Sequence, residues 1–286
     1  MRKCWVAGSV ALLFLLSAGC FPRFPARYSE TEELTVPLAV GGTLRVVTQN
    51  GAIEVRPGDV KEVQVTAVKK VRSRTEEEAR QFCEETKVET ETEASGATVK
   101  VVLPENYQGR ANISVSIEAI VPRKCSLNLT TSNGRIEARG VEGNVEMRAS
   151  NGEVVGEDVG GNVSAETSNG GIRVERVSGW AEAHSSNGRV TVREAGGDIR
   201  CGTSNGSILL YNVIGSAEAT SSNGSITCEL PGGASAVVSG NTSNGRVECD
   251  FPLAMTRTSV SGKIGDGKHS IVLRTTNGSI SLKRLD

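Results

Sequence analysis

The sequence predicts an all-β fold, a parallel β-helix (β-solenoid) of about 18-residue rungs with a small helix-containing cap or insertion near its N-terminal end. Three observations predict it. Asn-Gly recurs at a fixed step: Asn133, Asn151, Asn169, Asn187, Asn205 and Asn223 are each 18 residues apart. Asn244 follows after 21 residues and Asn277 closes the series, with Ser261-Gly262 in the same slot between them. Hairpins use Asn-Gly but need no period, whereas stacked repeats do. Second, the repeats align in columns. Three residues after the asparagine stand Ile136, Val154, Ile172, Val190, Ile208, Ile226 and Val247, and ten after it stand Gly143, Gly161, Gly179, Gly197 and Gly215. Third, hydrophobic residues are 37% of the chain but aromatics only 3%, which suits thin layers of Val, Ile, Leu and Ala.

Apolar and polar residues alternate within each repeat, which is strand periodicity. An 18-residue unit cannot bury its own face, but stacked copies can, with equivalent strands in parallel about 4.8 Å apart. The turn is then one corner of a coil, suited to residues that tolerate positive φ, and stacked asparagines can bond amide to amide. A sandwich is the competing fold, but its loop lengths vary and its columns do not align.

Each segment reads in order. Arg2 and Lys3 precede an uncharged apolar run, Cys4 to Leu16, too short for a membrane span, and then Ser17-Ala18-Gly19-Cys20. This resembles a bacterial lipobox, in which Cys20 is lipidated and becomes the mature N-terminus. Ser17 replaces the usual leucine, and an ordinary secretory signal cut nearby is the alternative. Phe21 after the cysteine, in place of Asp, favours the outer membrane. Residues 21–33, FPRFPARYSETEE, read as a flexible tether. Residues 34–130 hold a first rung, TLRVVTQNGAIEV at 43–55, which resembles SLNLTTSNGRIEA at 126–138. The insertion between them carries strands near 61–70, 97–103 and 111–121 and a helix near 75–87, a cap for the first rung. Residues 131–286 form the regular solenoid of two or three short strands per rung. Lys283, Arg284 and Asp286 guard its last edge.

The start "VP…G-x-L-x-V-x-T-x-NG-x-I-x-V", the helical insert, Val121-Pro122 and the T-x-NG-x-I repeats together resemble a bacterial adhesin-like β-solenoid family of unassigned function. The resemblance covers roughly residues 34 to 286. It implies the fold, and no catalytic residues come with it.

The residues themselves offer little chemistry. Net charge is −1, with acids and bases mixed along the chain and no basic stripe for nucleic acid. Of the cysteines, Cys83, Cys125, Cys201, Cys228 and Cys249 remain beyond the leader, none with metal spacing. Cys228 and Cys249 share a column on what read as neighbouring rungs, a disulfide or a core pair; Cys83 and Cys125 are the other candidates for a pair, at a separation the sequence does not fix. His184 reads as exposed, and neither it nor His269 has a second metal ligand near it in sequence, so neither a metal nor a cofactor is expected. Six residues after the asparagine, Arg139, Glu157, Glu175 and Arg193 alternate in sign, as in a salt-bridged surface. Ser132, Ser150, Ser168, Ser186, Ser204, Ser222 and Ser243 point outward, and the column of Thr131, Thr167, Thr203 and Thr242 points inward. The expectation is a lipid-anchored, non-catalytic envelope protein, an adhesin-like binding or structural surface for cell-wall glycan or an envelope protein. A polysaccharide hydrolase or lyase on the same scaffold competes with it, with Glu157 and Glu175 as its acids. An envelope-stress component is the third reading.

Overall fold

The computed structural model describes residues 24–285. It opens with β1 (Ala26–Val36), β2 (Thr43–Asn50), β3 (Ile53–Gly58), β4 (Val63–Ser73), the helix α1 (Glu76–Glu85), β5 (Lys87–Glu93), β6 (Gly96–Val102) and β7 (Ala111–Pro122). Rungs follow as strand pairs: β8 (Ser126–Asn133) with β9 (Ile136–Arg139), β10 (Val145–Ala149) with β11 (Val154–Val159), and β12 (Val163–Thr167) with β13 (Ile172–Val177). Next come β14 (Ala181–Ser185) with β15 (Val190–Ala195), β16 (Ile199–Thr203) with β17 (Ile208–Tyr211), and β18 (Ala217–Ser221) with β19 (Ile226–Pro231). The remainder is β20 (Ala236–Thr242), β21 (Val247–Cys249), β22 (Ala254–Met255), β23 (Ser259–Ile264), β24 (His269–Thr275) and β25 (Ile280–Leu285).

The first strand of each pair joins a 13-stranded sheet and the second a 12-stranded sheet, so each rung has two strands. Neighbouring rungs pair in parallel and in register, for example Val163↔Ala181 and Ile172↔Val190. Strict alternation, as in β10, where Val145, Met147 and Ala149 are buried and Glu146 and Arg148 are not, turns one face of each sheet into the space between them. That interior is thin and matched in size. A Cβ added at Gly156 would meet Met147 Cε at 3.0 Å, so the Met147 side chain fills the space that the glycine opposite leaves.

The N-terminal insertion caps the stack. β7 lies parallel to β3 and antiparallel to β4, and β6 lies beside β2. Thr75 caps α1 by accepting the Glu78 amide at 3.2 Å, and the helix buries Ala79, Phe82 and Cys83. Residues 26–33, expected in the tether, instead belong to β1, paired antiparallel with β4 from Ala26↔Ser73 to Val36↔Val63. Tyr28 and Leu34 pack on the core from one face of the strand, which also sets Glu32 against the buried Lys69 at 2.8 Å and Glu30 against Cys83, while Arg27, Ser29, Thr31 and Glu33 on the other face meet water. Prolines 22 and 25 precede its first residue.

The far end departs from the expected order. β24 and β25 are threaded between earlier rungs: β24 pairs with β18 on one side and β20 on the other, and β25 with β19 and β21. The last-written rung is therefore interior, and Lys283 and Arg284 do not guard an edge. Nor does Ser261-Gly262 form a corner. Ser261 lies in β23, antiparallel to β20 opposite Ser239, and short β22 closes that sheet.

Candidate functional site

The repeated corner is three ladders at once. On the surface, the asparagine side chains form one continuous amide chain in the spatial order 50, 133, 151, 169, 187, 205, 223, 277, 244. Each Nδ2 donates to the preceding Oδ1 at 2.7–2.8 Å. Beside it, a Cβ on Gly170 would overlap the carbonyl of Gly152, and the same holds up the column from Gly134 to Gly278. Close approach of backbones thus demands glycine there. Positive φ does not, since Gly51 alone among these corner glycines has it. Inside, a hydroxyl column donates to the same glycine carbonyls: Thr167 to Gly152 at 3.1 Å, Ser185 to Gly170 at 2.9 Å, Thr203 to Gly188 at 3.1 Å and Ser221 to Gly206 at 3.0 Å. Ala149 stands in that column without a hydroxyl.

Left-handed residues occur at the opposite corner, at Asp158, Arg176, Glu194 and Asn212 (φ 53–55°), with Gly140 in the same column. Arg176 is the hub there. It contacts Glu157 and Asp158 and reaches Glu175 at 3.6 Å. Glu157 also meets Arg139 at 3.3 Å, and Glu175 meets Arg193 at 3.8 Å. The two acids singled out from the sequence are therefore brought to adjacent rungs, each held between guanidinium groups. Hydrogen bonds from Arg176 hold the Asp158 carboxyl below its ordinary value.

The cysteines pack. Cys228 and Cys249 each pair with Leu282 from opposite sides, so they lie two strand spacings apart, about 9.6 Å. That exceeds disulfide reach. The threaded rung is the reason they are not neighbours. All five described cysteines are free. Burial, with help from Glu30, raises the Cys83 thiol to about 11, and burial raises Cys125 to about 11 and Cys228 to about 12. Thiols so displaced are poor nucleophiles. His184 is exposed and lies 3.3 Å from Glu182. Among the described residues no group of three His, Cys, Asp or Glu could hold a metal ion, and no helix is long and apolar enough to cross a membrane. Cys20 lies outside the described residues.

Two open grooves run along the outer face of the 13-stranded sheet. One, of about 440 Å³, is lined by Trp180, Glu182, Asp198, Arg200, Glu218 and Val272. The other, of about 460 Å³, is lined by Asn128, Asn144, Glu146, Asn162 and Ser164. Trp180 belongs to both. The sequence showed Trp180 only as a rare aromatic; its place in the column of Asn144 and Asn162 is the signal that it was more.

Among solved structures, a candidate adhesin of Bacteroides fragilis is similar at 10% identity, covering 91% of this chain and 99% of that one, with a TM-score of 0.49. A candidate lipid-binding protein of Parabacteroides distasonis is similar at 14% identity, covering 90% and 97%, with a TM-score of 0.48. A candidate adhesin of the same species matches at 10% identity, 90% and 97% coverage and a TM-score of 0.43. No curated protein matches. The family model Toastrack DUF4097 matches residues 43–283, nearly the whole stack of rungs described above, and the chain belongs to that family.

Proposed function

We propose that the protein is a lipid-anchored component of the bacterial envelope whose solenoid is a non-catalytic, adhesin-like surface. Cys20 would carry the lipid, and the outer membrane is the address. The rungs would hold a long face toward cell-wall material or an envelope protein. The observation that carries the non-catalytic reading is the pairing of the outward acids. Glu157 and Glu175 are each flanked by two arginines, so their carboxylate oxygens are already taken up in ion pairs. The geometry of the corners supports a scaffold as well, because Asn, Gly and Thr are all consumed in stacking.

The test combines sedimentation and turnover. Full-length protein is mixed with isolated envelope particles and pelleted, and soluble sugar ends are measured. Co-sedimentation without release of sugar ends is expected. Release that disappears in a Glu157→Gln, Glu175→Gln double variant would install the enzyme instead. For the anchor, Cys20→Ala should abolish labelling by a fatty-acid analogue and free the protein from membranes; unchanged labelling would sink it.

A further inference from the structure

We infer that the outer face of the 13-stranded sheet is a trough for an extended, neutral or amino-bearing polysaccharide, with one sugar ring stacked on Trp180. This rests on the envelope-surface reading above and names its ligand class.

The first argument is a broken ladder. At the start of each first-sheet strand, a side-chain oxygen caps the next rung. Ser126 Oγ accepts the Asn144 amide at 3.2 Å, Asn144 Oδ1 the Asn162 amide at 2.9 Å, and Asn162 Oδ1 the Trp180 amide at 3.0 Å. Beyond the tryptophan the pattern resumes, with Asp198 Oδ1 accepting the Ser216 amide at 3.0 Å and Ser216 Oγ the Ser270 amide at 3.4 Å. An indole has a donor and no acceptor. Trp180 therefore gives up a cap that five neighbours supply, and a residue that breaks a local rule marks a site of function.

The second argument is exposure. Trp180 is one of two tryptophans in the chain, yet it stands 43% exposed in the middle of the trough. An exposed aromatic plane beside polar groups fits the apolar face of a pyranose and the hydroxyls at its rim.

The third is charge. On one side of Trp180 the groove carries Glu182, Asp198 and Glu218 against Arg200, and Glu218 already holds Arg200 at 3.7 Å and Arg274 at 3.3 Å. Acceptors outnumber donors, so the ligand must be rich in donors and not anionic. On the other side stand amides and hydroxyls, Asn128, Asn144, Asn162 and Ser164, with the Glu146 carboxylate accepting from Asn128 at 2.8 Å. Sugar hydroxyls suit both halves.

The fourth is length. The acidic groove crosses β14, β16, β18 and β24, three strand spacings or roughly 14 Å. That is the span of a short oligosaccharide, and the second groove extends it toward β2.

The experiment uses the lipid-anchored protein in detergent; with the leader removed at Cys20, Trp180 is its single tryptophan. It is titrated with tetrasaccharides of β-1,4-linked N-acetylglucosamine and glucosamine, and separately with oligolysine and with anionic oligogalacturonate. Stacking should shift or quench the tryptophan emission with the two former sugars and not with oligogalacturonate. In sedimentation against insoluble chitin, Trp180→Ala should weaken retention about tenfold. Glu182→Lys, which keeps the fluorophore, should weaken it several-fold, and Thr191→Ala on the other sheet should not. Far-ultraviolet dichroism checks that each variant is folded. Retention unchanged in Trp180→Ala, no emission change with either sugar, or response to oligolysine or oligogalacturonate alone, overturns the trough. If envelope particles still retain Trp180→Ala, the envelope role survives through another surface. If they retain no form of the protein, that role falls as well.

Discussion

Gly170 and Gly171 are neighbours with opposite demands. A Cβ at Gly170 would overlap the Gly152 carbonyl, whereas one at Gly171 meets nothing nearer than the Arg189 carbonyl at 3.4 Å. Gly170→Ala should cost about 3 kcal/mol in chemical denaturation, and Gly171→Ala should be near neutral. Ala149 allows a change of opposite sign. Its column neighbours Thr131 and Thr167 donate to glycine carbonyls, so Ala149→Thr should give Gly134 a donor and raise stability by about 1 kcal/mol. Asp158 supplies a pH dependence. Its folded value is depressed by Arg176 below the ordinary 3.8. Its contribution is therefore complete above the unfolded value and lost as pH falls through the folded one. The melting-temperature gap between wild type and Asp158→Asn should be constant above pH ~5 and close in stronger acid. At this scale the corner asparagines were legible because one residue type repeats. The left-handed column was not, because Asp158, Arg176, Glu194 and Asn212 share no chemistry.

Among elements, the helix and the parallel strands could be read from the chain, while the threading of β24 and β25 could not. The inward residues Ile280 and Leu282 fit equally beside Ile226 and Cys228 or beside Val247 and Cys249, so periodicity is blind to their order. The steps of 21 residues to Asn244 and 33 to Asn277 were the irregularities that hinted at it. The edge strand β1 was hidden differently: its run of acids imitates a linker, although Glu30 and Glu32 find partners in Cys83 and Lys69. Removing residues 267–285 tests the threading. Amide exchange across residues 236–264 should lose its protection, while residues 126–221 keep theirs. Retained protection throughout would mean that β20 and β21 can close directly on β18 and β19.

For the molecule as a whole, stability is a sum over rungs and their interfaces. Deleting residues 151–168 removes one rung and leaves Ser150 followed by Asn169, so every column stays in phase. That variant should unfold cooperatively with a modest loss, and deletion of nine residues should disrupt the stack. Equal behaviour of the two in denaturant would contradict the repeat as the unit of folding. Threading also sets a clock. Chains are made, and emerge, from the N-terminal end. When β20 and β21 are delivered, the place beside β18 and β19 belongs to strands not yet synthesised. The growing protein must hold a slot open, with unpaired edges on both sides, until residues 269–285 arrive and close it. A ribosome that stalls in the last rung therefore releases a product with two raw sheet edges that quality-control proteases can recognise.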